Sequence, residues 1–261
     1  MFRQGQNSVL SLQSENINQN GYKQIKTTGA GFLTRSFFVH HINTFIYPMD
    51  FPLYKFDDEL IRAAVDSGAP KVLLTKWNRP IVVIGKGGKA ELELNLPAIA
   101  SGEIEVFRRY GGGCSVVIDE GQVVISAVIP GNGILQTKKY FQSLTDWIIN
   151  GLSGIGITGV EKAGSSDLAI GGRKISGSSI YATKEFTYYT ATIILDANGD
   201  TMEKYLKHPP REPDYRIGRR HSDFVIGLKN VSDYKNTEEF MEALGRVLDE
   251  ETLVKTMDDK L

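Results

Sequence analysis

The sequence predicts an α+β domain, a mixed β-sheet with helices packed on it. Three observations carry that reading. β-Branched runs such as Val123 to Ile129 and amphipathic stretches such as Tyr140 to Leu152 are interspersed without a regular βαβ rhythm. A length of 261 residues with 41% hydrophobic content supports one substantial core. No internal repeat and no linker between two comparable domains interrupts the chain.

Residues 1–30 are rich in Gln, Asn, Ser and Gly with little periodicity, so they read as a polar extension. Phe37 to Ile46 has strand-like apolar content. His40 and His41 within it would point to opposite faces of a strand, which argues against a joint metal site. Pro52 and Asp57-Asp58-Glu59 open a helix with Leu60, Ile61, Ala64 and Val65 on one stripe, ended by Gly68 and Pro70. Val72 to Trp77 and Ile81 to Ile84 read as strands around the turn Asn78-Arg79-Pro80. The basic loop Gly85-Lys86-Gly87-Gly88-Lys89 follows, either solvated or edging a ligand. It is not a Walker A loop, because no Gly-Lys-Ser/Thr closes it.

Beyond the strand Val123–Ile129 comes the turn Pro130-Gly131-Asn132-Gly133. The helix Tyr140–Leu152 then carries Phe141, Leu144, Ile148 and Leu152 on one side. Ile175–Tyr181 and Tyr188–Leu195 flank a charged turn and read as a hairpin. A short helix through Met202, Tyr205 and Leu206 is expected to stop at Pro209-Pro210. Asn236 with Glu239 resembles a capping box for one last helix bearing Phe240, Leu244, Val247 and Leu248. The expected division is thus an extension (1–30), a catalytic-size domain (31–230) and a C-terminal helix (231–261).

A formal charge of −1 provides no global field for nucleic acid or an anionic membrane, so any phosphate site must be local. One cysteine excludes an internal disulfide framework and suits a reducing compartment. No apolar run approaches the ~20 residues of a membrane span, and the N-terminus lacks a secretory pattern. A cytoplasmic location is the expectation.

Chemistry concentrates in two stretches. Arg108-Arg109-Tyr110-Gly111-Gly112-Gly113-Cys114-Ser115-Val116-Val117-Ile118-Asp119 places paired arginines and a glycine loop between strands. Glycines let backbone N–H groups approach oxygens, and arginine offers a fixed fork of donors for phosphate or carboxylate. Gly171-Gly172-Arg173-Lys174-Ile175-Ser176-Gly177-Ser178-Ser179 sets one lysine in a turn leading into a strand. Together they suggest handling of an acyl phosphate or nucleotide.

On these residues the chain resembles the lipoate–protein ligase and octanoyltransferase family, which shares its catalytic fold with biotin–protein ligases. Arg108, Arg109, Gly112, Gly113, Val116 and Asp119 match the family's Arg-Arg-x-Ser-Gly-Gly-Gly-Ala-Val-aromatic-His-Asp signature. Gly111, Cys114, Ser115, Val117 and Ile118 depart from it. Asp167-Leu168 and Gly172-Arg173-Lys174-Ile175-Ser176-Gly177-Ser178 meet the second signature without a break. Asp58-Glu59, Trp77 and Gly85 through Asn95 look like its early landmarks, so the resemblance spans about residues 50–228.

The resemblance implies a biotin/lipoyl-ligase-like catalytic fold, with ATP and Mg2+ as cofactors and lipoate as substrate. Lys174 would be catalytic at the acyl carbonyl and α-phosphate. Arg109, Gly112, Gly113 and the stretch Cys114, Ser115, Val116 and Val117 would hold ATP or lipoyl-AMP with Gly177, Ser178 and Asp167. Asp167 would also reach Mg2+ through water, a turn cap being the alternative. Trp77, Gly85 and Arg108 would border the substrate groove, Arg108 chiefly supporting the loop. Implied partners are lipoyl acceptor domains of 2-oxoacid dehydrogenase complexes or the glycine-cleavage H protein. Arg211, Arg216, Arg219 and Arg220 would make a docking patch, with His221 touching the acceptor, closing the site or serving structure.

Cys114 separates mechanisms. Transferases of the family use a cysteine thioester, but those cysteines lie elsewhere in the chain, and Gly164-Ser165-Ser166 offers none. Cys114 therefore reads as a small loop residue, favouring adenylation over an ATP-independent octanoyl or lipoyl transferase. A non-catalytic lipoyl-domain binder is the other alternative, and Gly85-Lys-Gly-Gly-Lys89 does not match the biotin ligases' loop. Only about thirty residues follow Lys229, fewer than the ~40 a self-standing domain needs. A separate accessory chain is thus a further expected partner.

Overall fold

The computed structural model describes residues 51–258. The expected extension over 1–30, the strand over Phe37–Ile46 and the pair His40/His41 lie outside the described residues.

Asp58–Ser67 (α1) leads into Lys71–Lys76 (β1) and Ile81–Ile84 (β2); Ala90–Glu93 (α2) and Leu96–Ala100 (α3) follow. Next come Glu105–Arg108 (β3), Val116–Ile118 (β4), Gln122–Pro130 (β5) and the long helix Thr137–Gly154 (α4). Glu161–Ala163 (β6), Asp167–Ile170 (β7), Arg173–Ala182 (β8) and Phe186–Ile194 (β9) complete the strands. Gly199–Tyr205 (α5), His221–Phe224 (α6), Thr237–Gly245 (α7) and Glu250–Asp258 (α8) end the described residues.

The strands form two sheets. The larger runs β1-β5-β9-β8-β7-β6 and is antiparallel throughout. The smaller runs β3-β2-β4, and mixed pairing is confined to it: β2 is parallel to β3 and antiparallel to β4. The turn Asn78-Arg79-Pro80 therefore carries the chain from one sheet to the other rather than closing a hairpin.

Alternation along β5 and β9 decides where each face goes. Val123, Ile125 and Ala127, with Tyr189 and Ile193, meet Leu144, Trp147, Ile148 and Leu152 of α4 in the main core. In β2, Val82 and Ile84 enter a second cluster with Met202 and Leu206, while Ile81 and Val83 enter a third with Tyr54 and Val124. A strand buried on both faces reads as a continuous apolar run, as Ile-Val-Val-Ile does.

Three local expectations are revised. α5 ends at Tyr205, before Pro209, because Leu206 is already extended. The last helix is two helices: Asn236 caps α7 through the N–H groups of Glu238 and Glu239, and the helix stops at Gly245. Val247 and Leu248 lie between α7 and α8, and Phe240, Leu244, Leu248 and Leu253 all enter the main core. Residues after 230 thus belong to the packing of the larger domain. In α1, Ala64 is buried whereas Val65 is 39% exposed.

Candidate active site

A cleft of about 800 Å³ lies between β2 and β4 on one side and the outward face of the large sheet on the other. Arg109, Gly113, Cys114, Ser115, Val116 and Val117 line it from the glycine loop, and Asp167, Lys174, Gly177 and Ser178 from β7 and β8. The two sequence stretches therefore meet across one space. Four other expected site residues do not line it: Trp77, Gly85, Arg108 and Gly112.

Their placement has physical reasons. Trp77 packs edge-on to Phe56 at 4.8 Å between ring centroids, and Tyr54 stands at the cleft wall instead. Arg108 turns its guanidinium onto the carbonyls of Gly85, Lys86 and Gly88 at 2.9, 3.2 and 3.2 Å. The basic loop is thereby tied to β3. Gly85 touches the glycine loop from outside the cleft: a Cβ there would lie 2.0 Å from the Gly113 carbonyl oxygen. Gly112 accepts from Arg109 through its carbonyl.

Arg109 shapes the loop. Its Nε and Nη2 donate to the Gly112 carbonyl, Nη2 also to Cys114 and Nη1 to Val83, at 2.7 to 3.1 Å. Most of the five donors of its fork are thus already used. Burial pulls its pKa down to about 10, against the nearby Glu93 and Cys114, so it stays a cation at neutral pH.

Glu93, the last residue of α2, braces the glycine loop; it falls within the Gly85–Asn95 landmark stretch, which does not single it out. Its buried carboxylate accepts from the Ser115 N–H at 2.6 Å and the Ser115 hydroxyl at 2.8 Å, and its other oxygen takes the Lys89 N–H at 3.1 Å. Nothing in Ala90-Glu91-Leu92-Glu93 distinguishes this glutamate from its exposed neighbour Glu91. Hydrogen bonds to a charged acceptor contribute about 1.5–3 kcal/mol each, and cutting one strands a buried donor. Glu93→Ala should therefore lower stability by about 2–4 kcal/mol, with Glu93→Gln losing less. Denaturant unfolding at neutral pH measures both; an alanine variant as stable as wild type would contradict the clamp.

Lys174 owes its position to the β7–β8 hairpin. Gly171 and Gly172 both have positive φ, 56° and 70°, as a two-residue type I′ connection requires. The register then slips: Ala169 faces Lys174 but Leu168 faces Ser176, leaving Ile175 as an extra residue. That bulge places the Lys174 ammonium over Gly177, where a Cβ would lie 2.8 Å from Nζ. Nζ sits 2.8 Å from Asp167 Oδ1, with the lysine side chain 23% exposed and the aspartate 9%. Asp167 Oδ2 accepts from the Tyr215 hydroxyl at 2.9 Å. Burial, and then Asp167, raises the Tyr215 pKa, so this phenol stays a donor.

Both oxygens of Asp167 are engaged, and no group of three His, Cys, Asp or Glu that could cage a cation occurs among the described residues. The Cys114 thiol donates to the Arg211 carbonyl at 3.6 Å.

The arginine patch is dispersed. Arg216 is buried, Arg219 donates to the carbonyls of Arg216, Gly172 and Tyr215, and Arg220 pairs with Asp223. Arg211 is exposed and lines the cleft. A further polar cluster, Asp57 with Ser126 and Tyr188, is buried beside the cleft; Ser126 and Tyr188 donate to the Asp57 carboxylate at 2.7 and 2.5 Å. Asp57 thus serves the interior instead of capping α1 with its side chain.

His221 lies at the cleft with Nδ1 3.8 Å from Glu203 Oε1. Burial, then Arg216, pushes its pKa from 6.5 down to about 4. Between those values the unfolded chain binds a proton that the folded chain refuses. This contribution is therefore complete above pH 6.5 and lost as pH falls toward 4. The loss should be on the order of 1–3 kcal/mol. Unfolding at pH 7 and pH 4.5 should show it, and His221→Gln should flatten that part of the profile; an unchanged slope would contradict a buried neutral imidazole.

A family profile described as "Lipoyl protein ligase A/B catalytic domain" matches residues 53–249. The chain belongs to that family. Its relatives include the lipoate–protein ligase of Streptococcus pyogenes, 35% identical over 137 residues, covering 52% of this chain and 39% of the relative. Lipoate-protein ligase LplJ of Bacillus subtilis is 31% identical over 175 residues, covering 67% and 52%. The chain thus spans about half the length, or less, of these curated relatives. Among solved structures, the bi-partite lipoate protein ligase of Thermoplasma acidophilum, described with its E2 lipoyl domain, shares the fold at TM-score 0.61 and 21% identity. That match covers 76% of this chain and 84% of the other. A lipoate-protein ligase A bound with ATP matches at TM-score 0.58 and 20% identity, over 76% and 85%. No described helix is long and apolar enough to cross a membrane.

Proposed function

We propose that this family member activates lipoate with ATP and passes the lipoyl group to a lysine of an acceptor domain. The observation that carries the reading is the Lys174 ammonium beside Asp167, lining the same cleft as the arginine-anchored loop. Family membership and relatives named lipoate–protein ligase support it.

In the first half-reaction a carboxylate oxygen of lipoate attacks the α-phosphorus of ATP, and the bond to the bridging oxygen breaks. Lipoyl-adenylate forms and pyrophosphate leaves with the electron pair. In the second, the acceptor amine attacks the acyl carbonyl, AMP leaves, and the amine loses a proton. Negative charge grows on oxygen in both steps, so one fixed ammonium can serve both. Asp167 and Tyr215 hold that ammonium in place. The loop from Gly113 to Val117, with Gly177 and Ser178, would surround the nucleotide, the Ser115 N–H being already held by Glu93. Val83, Val117, Ile118 and Val124 offer apolar surface to the acyl tail.

Magnesium fits as an ion carried on the nucleotide, where it would neutralise phosphate charge, since Mg2+ usually keeps its waters and needs few carboxylates. Asp167 would reach it through water at most. The expected acceptors are lipoyl domains of 2-oxoacid dehydrogenase complexes and the glycine-cleavage H protein. The bi-partite neighbour supports a separate accessory chain as a further partner. Incubation with ATP, magnesium and lipoate should yield lipoyl-adenylate by mass, and an added lipoyl domain should gain the lipoyl mass. Transfer without ATP from an acylated carrier would replace this reading with a transferase.

A further inference from the structure

Arg216 is a cleft residue with one donor unanswered. Its side chain is 5% exposed and its guanidinium carbon lies 4.9 Å from the Phe224 ring centroid. Nε donates to the Arg219 carbonyl at 2.9 Å. The nearest carboxylate oxygen, Glu212 Oε2, is 3.6 Å away and is already 2.9 Å from His208 Nε2. Nη2 is buried without a hydrogen-bond partner among the described residues. A buried guanidinium with an unused donor is unfavourable unless a ligand or an ordered water completes it.

Its position says which ligand. The preceding residue, Tyr215, donates to Asp167, the partner of Lys174. Val225, at the end of α6, bridges the Lys174 backbone. The loop carrying Arg216 and the strand carrying Lys174 are therefore tied together along one wall of the cleft. One ammonium at the α-phosphate and a magnesium ion on the nucleotide still leave negative charge at the far end of the triphosphate. A planar fork suits two phosphate oxygens better than a point charge does.

Building on the ligase reading, we propose that Arg216 is the second phosphate-binding cation of the cleft. It takes the β- and γ-phosphates of ATP, the pyrophosphate that leaves when the α-phosphorus is attacked. The electron pair of the broken P–O bond goes to that pyrophosphate, and the guanidinium meets the charge it gains.

The test compares wild type with Arg216→Gln and Arg216→Lys. Inorganic pyrophosphate binding is measured by calorimetry, and KM is measured separately for ATP and lipoate. In Arg216→Gln, pyrophosphate affinity should fall and KM for ATP should rise by about tenfold or more, with KM for lipoate within about twofold. Transfer from supplied lipoyl-adenylate to a lipoyl domain should stay within about twofold. Arg216→Lys keeps the charge without the fork, so it should lie between. Should the glutamine variant fail to fold, the lysine variant decides: at least about threefold weaker pyrophosphate binding supports the role, and wild-type binding overturns it. Unchanged pyrophosphate and ATP constants, or an equal loss in transfer from supplied adenylate, also overturn it. Wild type that forms adenylate while the variants keep wild-type constants refutes this inference alone. Wild type that forms none removes the ligase reading beneath it.

Discussion

Lys174→Ala is expected to leave the protein folded and to cut lipoyl-adenylate formation by about a thousandfold or more, as loss of a preorganised charge at a developing oxyanion does. The ammonium lies over Gly177 and 2.8 Å from Asp167 Oδ1, so it has one defined location in the cleft. Its loss leaves the Asp167 carboxylate with Tyr215 as remaining partner and makes the local field negative where phosphate must bind. The effect should therefore exceed that of a merely missing donor. Transfer from supplied adenylate should fall as well, because the same charge serves the acyl carbonyl. Single-turnover assays of each half-reaction, beside a thermal melt, measure this. A variant that adenylates at the wild-type rate would show that Lys174 is not the catalytic cation.

Gly85→Ala should produce the second large effect, although the residue does not line the cleft. A Cβ there would lie 2.0 Å from the Gly113 carbonyl oxygen, 3.1 Å from its carbon and 3.3 Å from Arg109 Nη2. Backbone cannot swing aside as a flexible side chain does, and both partners are pinned. Lys86 N–H donates to the Gly111 carbonyl, Arg108 holds the carbonyls of Gly85, Lys86 and Gly88, and Arg109 grips Gly112 and Cys114. The methyl group must push two loops apart. Overpacking against fixed neighbours costs about 1–3 kcal/mol and sometimes more, so a fall in Tm of about 2–12 °C is expected. Adenylation should fall too, because the displaced loop lines the cleft. Wild-type Tm and turnover would contradict the two-loop contact.

Much of this arrangement was legible because its signals are local. Alternation in β5, the turn between β8 and β9 and the stripe of α4 each fix an element without reference to the rest of the chain. The lysine motif likewise contains its own explanation: Gly171-Gly172 makes the turn and Gly177 leaves room for the ammonium. What sequence patterns miss is partnership. The turn Asn78-Arg79-Pro80 says that β1 ends and β2 begins, but not that they join different sheets. Trp77 sits next to a buried strand, and only the packing of Phe56 beside it decides that Tyr54 lines the cleft. Arg211, Arg216, Arg219 and Arg220 look alike in the chain, yet one is buried, one braces carbonyls and one pairs with Asp223. Glu93 carries no periodic or spacing signal, since its role depends on a loop more than twenty residues away.

Lipoate-dependent exchange of labelled pyrophosphate into ATP tests the central claim most directly, since it requires reversible formation of the adenylate and no acceptor. Wild type is expected to show exchange that needs both lipoate and magnesium, and Lys174→Ala to show none above background. Exchange absent from well-folded wild type, or persisting undiminished in the alanine variant, would contradict the account.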